Sequence, residues 1–301
     1  MKEKKVALPC TSEPVEVTYL DNEQVGGGPV FLMLHGLFDH KATWLALSER
    51  LTGARIVAPD LVGAGHSSKP LLRDRPSEYR YSLSMHRDYL ELFARKLELS
   101  KFVLMGNSFG GAVAIFLYLT STRFRRRTLG LVLVDTVCYP QTPPGYVSEL
   151  AGGMGSLLRH RWLRALAFRA GFVCAKAANV LEYAFYDPSK VPPGYLDRTV
   201  EVLKTPNAFE ANQLSARAVE RLAKKPEVSA QRLREIGCPT LIVWGTNDRI
   251  VPLSFAHRLA RELPGAELHT IERCGHAPQL EAPDELVRHI ESWRRARLTP
   301  S

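Results

Sequence analysis

Three residues of this sequence have side chains suited to nucleophilic hydrolysis, and they follow one another in the order Ser108, Asp248 and His276. A serine hydroxyl needs a base at neutral pH, and an imidazole can accept its proton and later return it to a leaving group. A carboxylate beside the imidazole fixes its tautomer and stabilises its charged form. The three residues therefore predict a nucleophile, an acid and a base, in that order along the chain.

Ser108 lies in the motif Gly-Asn-Ser-Phe-Gly at 106–110, between the apolar runs 103–105 and 112–119. An apolar run, a Gly-x-Ser-x-Gly motif and a second apolar run predict a strand, a sharp turn and a helix. The motif by itself is common in proteins, where it can be an ordinary glycine-rich turn. In this context it places the serine on a strained turn, with its hydroxyl above the sheet.

Three further apolar runs are typical of buried strands, and each is followed by a loop that contains a candidate group. They are 29–34 before His35-Gly36-Leu37, 240–244 before Asp248, and 266–271 before His276. Strands that alternate with helical patterns predict a mostly parallel sheet covered on both faces. The candidate groups then all follow strand ends.

These four motifs, together with the loop 60–67, make the sequence resemble the α/β-hydrolase superfamily, specifically its cap-bearing esterases and carbon–carbon bond hydrolases. The resemblance covers about 15–293. It implies an α/β fold with a mostly parallel eight-stranded sheet, helices on both faces and an inserted helical cap. It also implies a triad of Ser108, Asp248 and His276, with an oxyanion hole made by the backbone N–H groups of Leu37 and Phe109.

The alternation of strands and helices breaks between 139 and 237. Prolines open and close the break, and four helical patterns lie inside it, at 157–172, 175–185, 195–203 and 207–222. We therefore expect a helical cap at 140–237, which divides the hydrolase core into 1–139 and 238–301. A cap at the carboxyl edge of the sheet would exclude water from the site.

Other residues compete for these roles. Asp135 ends the strand after the nucleophile helix, which is a second position from which an acid can reach the histidine. His35 and His66 could act as the base, although both lie in loops that the superfamily uses for structure. Cys274, two residues before His276, could act as a nucleophile. The alternative is that it is a small residue that fills a tight loop.

Composition limits the partners that we expect. The net charge of +9 comes largely from the basic stretches 123–127 and 294–297. Both are predicted at helix C-termini, where cations complement the helix dipole, so we expect no nucleic-acid partner. No metal-ligand spacing or phosphate loop is present, and we expect no metal and no cofactor.

The chain shows no apolar span and no signal-peptide pattern, and its five cysteines are irregularly spaced. These features predict a cytoplasmic protein without a transmembrane segment. A homodimer stays open.

The sequence predicts the catalytic residues more closely than it predicts which bond they cleave. A serine in the elbow argues against haloalkane dehalogenases and epoxide hydrolases, which use aspartate there. The elbow itself resembles that of meta-cleavage-product hydrolases, but Leu37-Phe38-Asp39 and Ala277 depart from their pattern. We therefore expect hydrolysis of a carboxylic ester of a small to medium apolar substrate. The alternatives are a carbon–carbon bond hydrolase of meta-cleavage type and a non-catalytic ligand receptor on the same fold.

Overall fold

Eight strands form one sheet in the computed structural model, which describes residues 1–9, 14–24, 28–158 and 160–298. The strands are β1 (Lys2–Leu8), β2 (Val15–Asp21), β3 (Val30–Leu34), β4 (Arg55–Pro59), β5 (Phe102–Asn107), β6 (Thr128–Val134), β7 (Thr240–Gly245) and β8 (Glu267–Ile271). Their spatial order is β1-β2-β4-β3-β5-β6-β7-β8. The predicted eight-stranded sheet is confirmed.

The sheet is parallel from β4 through β8, and its first two strands run antiparallel to their neighbours. Strand β1 is not among the strands that the sequence predicts. Its first four residues, 2–5, are all charged, and most of them are exposed at the edge of the sheet. Lysines on an edge strand discourage pairing with another chain, so the charge suits this position.

Helices cover both faces of the sheet and fill the chain between β6 and β7. The core helices are α1 (Leu45–Ser48), α2 (Leu83–Lys96), α3 (Phe109–Thr120), α4 (Thr122–Arg127), α12 (Leu253–Glu262), α13 (Pro278–Glu281) and α14 (Pro283–Arg297). The helices between β6 and β7 are α5 (Gly145–Ala151), α6 (Gly153–Leu157), α7 (Arg161–Arg169), α8 (Phe172–Ala184), α9 (Tyr195–Leu203), α10 (Ala208–Lys224) and α11 (Ala230–Leu233). Within the described residues, none is long and apolar enough to cross a bilayer.

Two hydrophobic cores hold the helices on the sheet, because alternate residues of each strand point to opposite faces. In β3, Leu32 and Leu34 join one core, whereas Phe31 and Met33 join the other. The first core includes side chains of α2, α3 and α12, and the second includes side chains of α1 and α14. A parallel sheet needs both faces covered, and here both are buried.

The inserted segment, 140–237, differs in detail from the sequence prediction. The single helical pattern expected at 157–172 is divided, because α6 ends at Leu157 and α7 spans only Arg161–Arg169. Gly171 has a φ of 72°, which interrupts the helix before α8. Helix α5 precedes these elements and is also absent from the predicted patterns.

Candidate active site

Ser108 lies between the last residue of β5 and the first residue of α3, as the motif predicts. Its φ of 55° and ψ of −118° are strained for a residue with a side chain. The neighbouring backbone holds this conformation: the Ser108 N–H donates to the carbonyl of Val134 at 2.9 Å, and the Ser108 carbonyl accepts from the N–H of Val137 at 3.2 Å. The turn therefore fixes the direction of the hydroxyl.

Glycine flanks the serine because the helix and the strands approach closely here. A Cβ on Gly110 would lie 2.2 Å from the carbonyl oxygen of Leu34, and one on Gly106 would lie 2.3 Å from that of Gly110. Cβ atoms in proteins essentially never lie this close to another heavy atom, and the atoms in the way here belong to the backbone. A larger residue at either position would thus displace the turn that holds Ser108.

His276 and Asp248 come from two loops at the same end of the sheet and are hydrogen-bonded. The His276 Nδ1 lies 2.7 Å from the Asp248 Oδ2. The Asp248 Oδ1 accepts the N–H groups of Ile250 at 2.7 Å and Val251 at 2.9 Å. Hydrogen bonds of this kind stabilise an ionised carboxylate. With Nδ1 donating to Asp248, Nε2 is the basic nitrogen of the ring.

The loop that carries His276 is bound to the inserted segment by Glu281, a residue that sequence reasoning missed. The Glu281 carboxylate is buried and accepts three backbone N–H groups, from Gly275 at 2.7 Å, Asp187 at 2.7 Å and Tyr186 at 3.1 Å. In addition, the His276 N–H donates to the carbonyl of Ala184 at 2.7 Å. The available signal was the one acidic residue in the short segment 277–283 after His276.

Asn107 connects the elbow to the same loop. Its Nδ2 donates to the carbonyl of His276 at 3.2 Å and to that of Val134 at 3.3 Å. Its Oδ1 accepts from Gln279 Nε2 at 3.3 Å. Asn107 thus sets the distance between the turn of Ser108 and the loop of His276.

The loop after β3 lies directly against the elbow. A Cβ on Gly36 would lie 3.3 Å from the Cβ of Ser108, so glycine permits this approach. Leu37 and Phe109, the residues predicted to supply oxyanion-hole N–H groups, line the same pocket as Ser108. Phe109 is the first residue of α3, where an N–H group has no carbonyl partner inside the helix.

The rival bases have other contacts. His35 Nδ1 donates to the carbonyl of Gly36 at 2.8 Å, and its Nε2 accepts from the N–H of Leu61 at 3.0 Å. His66 Nδ1 lies 3.4 Å from the Nζ of Lys41. Of the histidines in the described part of the chain, only His276 lines the pocket of Ser108. His35 therefore holds the loop after β3 against the backbone of Leu61, which is a structural role.

Cys274 has the properties of a packing residue. Its side chain is buried, and this burial raises the pKa of its thiol well above the ordinary value. A thiol that keeps its proton is a poor nucleophile.

Asp135, the rival acid, lies beside the His276–Asp248 pair but is bonded differently. Its Oδ1 accepts one N–H group, from Gly245 at 3.0 Å, and among the described residues its buried Oδ2 has no hydrogen-bond partner. Burial and the neighbouring Asp248 carboxylate raise the pKa of Asp135 well above its ordinary value. Asp135 therefore favours its protonated form more than a free aspartate does, whereas Asp248 has the contacts of a carboxylate.

The same three residues are the metal-ligand cluster found in the described residues, with one ligand atom each within 4.8 Å of the others. Tetrahedral coordination at bond lengths near 2.1 Å would separate two ligand atoms by about 3.4 Å. The 2.7 Å between His276 Nδ1 and Asp248 Oδ2 is instead the length of a charge-assisted hydrogen bond. The cluster fits a shared proton better than an ion.

Ser108 and His276 line a cavity of about 270 Å³ between the sheet edge and the inserted segment. The inserted segment supplies mostly apolar side chains to its wall, among them Val147, Met154, Leu158, Phe168, Phe172 and Val180. The charged residues among the described lining residues, apart from His276, are Asp39, Glu149, Arg164 and Lys176. Arg164 pairs with Glu210 at 2.8 Å, and Lys176 pairs with Glu149 at 2.8 Å.

Comparison with known proteins shows the family to which this chain belongs. The sequence profile of the alpha/beta hydrolase family matches residues 31–289. Lipase 1 of Psychrobacter immobilis is 27% identical over 280 residues, which cover 93% of this chain and 80% of the lipase. The 2-hydroxy-6-oxo-2,4-heptadienoate hydrolase of Pseudomonas putida is 28% identical over 283 residues, which cover 90% of this chain and 91% of that protein.

A solved structure shows the same fold. The thermophilic esterase of Thermogutta terrifontis superposes with a TM-score of 0.74 at 24% identity, and the match covers 98% of this chain and 99% of the esterase. Both a lipase and a dienoate hydrolase are thus related to this protein, which is a hydrolase. Because the profile extends from β3 to α14 and includes Ser108, Asp248 and His276, the chain belongs to the alpha/beta hydrolase family.

Proposed function

We propose that this protein hydrolyses carboxylic esters through an acyl-enzyme on Ser108, with His276 as the base and Asp248 as the acid. The observation that carries the proposal is that Ser108 and His276 line one apolar cavity, while Asp248 binds the far side of the imidazole. The loop containing Leu37 lies against Ser108 at the same place.

The mechanism follows from these positions. The Ser108 Oγ attacks the ester carbonyl while His276 Nε2 takes its proton, and Asp248 stabilises the imidazolium that forms. The N–H groups of Leu37 and Phe109 donate to the oxyanion, each contributing about 3–4 kcal/mol of transition-state stabilisation. His276 then protonates the leaving alcohol, and water hydrolyses the acyl-enzyme by the same route.

The cavity favours an uncharged, largely apolar substrate. Its volume of about 270 Å³ lies near the lower end for ligand pockets. The two cations of its described wall, Arg164 and Lys176, are already paired with carboxylates, and Asp39 adds a negative charge beside the oxyanion loop. A dienoate from ring fission bears a carboxylate, which would find no unpaired cation here.

We further propose that the inserted segment, 140–237, is the cap of this site, with the core divided into 1–139 and 238–301. Its side chains form one wall of the cavity, and its Tyr195 hydroxyl donates to Asp39 in the oxyanion loop. A wall of this kind excludes water from the reacting atoms.

Two measurements test the proposal. A fluorophosphonate probe should label Ser108, as mapped by peptide mass spectrometry, and Ser108→Ala should remain unlabelled. A series of p-nitrophenyl esters of increasing chain length should be hydrolysed with kcat/KM about 100-fold above that for a ring-fission dienoate, because the buried carboxylate lacks a partner. Preferential cleavage of the dienoate would favour the carbon–carbon hydrolase instead. Absence of labelling on a folded protein would contradict both.

A further inference from the structure

Large apolar side chains are exposed on one part of this molecule. Apart from Met1, the exposed large apolar residues of the described chain all lie between 157 and 183. The exposed fraction is 67% for Trp162, 57% for Leu157 and for Leu166, and 41% for Phe172. Monomeric proteins seldom leave such side chains clustered in water, and a cluster of this kind marks an interaction surface.

Helix α7 presents this surface on one side and the cavity on the other. Its exposed residues, Arg161, Trp162, Ala165, Leu166 and Arg169, recur at the spacing of one helical face. The residues Arg164 and Phe168 lie on the other face and line the cavity. None of the side chains of α7 is fully buried, so the helix is held to the protein along one side only.

The stretch of sequence that contains α7 bears only basic charges. Residues 150–181 contain five Lys and Arg and no Asp or Glu. Arg161 and Arg169 are exposed beside Trp162 and Leu166. The acidic partners of Arg164 and Lys176, which are Glu210 and Glu149, come from outside this stretch.

The surface is continuous with the cavity. Phe172 is 41% exposed and also lines the cavity that contains Ser108. Leu158 lines the cavity next to the exposed Leu157. A molecule that enters the cavity past Phe172 therefore passes directly by the exposed apolar residues.

We propose that Leu157, Arg161, Trp162, Leu166, Arg169 and Phe172, here called the apolar-basic surface, dock this enzyme on an anionic lipid–water interface. Apolar side chains on one face of a helix enter the acyl boundary, and flanking arginines bind anionic head groups. This part of the proposal rests on the proposed ester hydrolysis: the surface would deliver acyl esters from that interface past Phe172 to Ser108. The substrate class is thus an acyl ester that resides in a lipid aggregate.

A second copy of the chain fits this surface less well. In a symmetric dimer the same patch meets itself, so Arg161 and Arg169 would approach their own counterparts. No acidic residue between 150 and 181 would neutralise them. An anionic lipid surface complements both the apolar and the basic residues.

Sedimentation with vesicles tests the proposal without requiring catalysis. The wild-type enzyme should bind vesicles of phosphatidylglycerol and phosphatidylcholine more tightly than vesicles of phosphatidylcholine alone. Trp162→Ala and Leu166→Ala should each weaken this binding about tenfold, because each removes a large apolar side chain from the interface. Trp162→Phe should retain most of the wild-type vesicle binding. Arg161→Glu with Arg169→Glu should abolish the preference for anionic vesicles.

The matched control is Arg73→Glu with Arg126→Glu, which changes the net charge equally at exposed positions outside the surface. It should retain vesicle binding. All variants should keep the wild-type unfolding temperature and the wild-type turnover of a short, water-soluble ester, since none of the altered residues lines the cavity.

Equal loss in the control, or no binding by the wild type at low salt, would overturn the proposal. So would a dimer in sedimentation velocity that Trp162→Ala dissociates while vesicles remain unbound. Vesicle binding with the expected variant pattern but no ester turnover would uphold the surface and refute the proposed reaction.

Discussion

At the scale of residues, Asp248 and Asp135 lie at the same end of the sheet and differ in the groups that they bind. Asp248 accepts two backbone N–H groups and contacts His276, whereas Asp135 accepts one N–H group and has a raised pKa. This difference is the reason that Asp248, and not Asp135, is proposed as the acid that orients the imidazole.

Asp248→Asn should therefore lower kcat by about 10³–10⁴-fold while the protein stays folded, because the imidazole then takes the wrong tautomer. Asp135→Asn should lower kcat far less, since an amide is close in shape to a protonated carboxyl group. Steady-state kinetics on one ester compares the two variants. The reverse ranking would make Asp135 the acid.

Asp135 also predicts a dependence of stability on pH. Its folded pKa is raised, so the folded state holds a proton that the unfolded state releases above about pH 4. Its contribution to stability is fully present below that pH and is lost as pH rises towards the folded pKa. Relative to the wild type, Asp135→Asn should thus gain free energy of unfolding by about 1.4 kcal/mol per pH unit between about pH 4 and the folded pKa of Asp135, and the gain should level off above that pKa.

Urea unfolding of both proteins between pH 4 and pH 8 measures this gain. A difference that stays constant over the range would mean that Asp135 is ionised in the folded protein.

Sequence motifs predicted Ser108 and the loops of Asp248 and His276, because each depends on a local strand end and a short spacing. They could not predict Glu281 as a structural contact. The partners of Glu281 lie 94 and 95 residues away at Asp187 and Tyr186, and only the folded chain brings them together.

At the scale of elements, the strands predicted at 29–34, 103–105, 240–244 and 266–271 lie within two residues of their observed ends. The edge strand β1 and the divided helices of the inserted segment were not predicted. A fully buried strand such as β7 has a continuous apolar run, whereas β1 begins with four consecutive charged residues. Helix α7 has no fully buried residue, so its boundaries depend on weak local signals such as Gly171.

Glu281→Gln tests the contact between the loop of His276 and the turn at Tyr186 and Asp187 in the inserted segment. Glutamine would turn one N–H₂ group towards backbone N–H donors, and the loop of His276 would lose at least one charge-assisted hydrogen bond. We expect kcat to fall about tenfold with little change in KM, because the loss would displace the base rather than the substrate. A variant with raised KM and unchanged kcat would show that Glu281 acts on substrate binding instead.

Hydrogen exchange distinguishes the anchored and unanchored parts of the inserted segment. Helices α7 and α8 have no fully buried residue, so their amides should exchange faster than those of β5 and β7. The turn at 184–187 should exchange slowly, because Glu281 and the His276 loop bind it. A covalent phosphonate on Ser108 should slow exchange in α7 and α8. Exchange equal to that of the strands, and indifferent to the adduct, would mean that the segment is rigid.

At the scale of the whole molecule, two cores hold a sheet that was predictable from hydrophobic pattern, whereas the cavity is shared between the sheet edge and the inserted segment. The pattern gives no information on which residues of the inserted segment face the cavity. Phe168→Ala, at a position that lines it, should shift the preferred ester towards longer chains and leave phosphonate labelling of Ser108 intact. An unchanged chain-length ranking would place selectivity in the core loops.

The three hydrogen bonds to Glu281 have a consequence for how such enzymes can be recombined. Residues 140–237 interrupt the core, and a segment of this kind invites exchange between relatives to change selectivity. Here the turn at Tyr186 and Asp187 also positions the loop of His276. A graft would therefore have to bring a turn that offers the same two N–H groups to Glu281, or it would import a new pocket and lose the base that serves it.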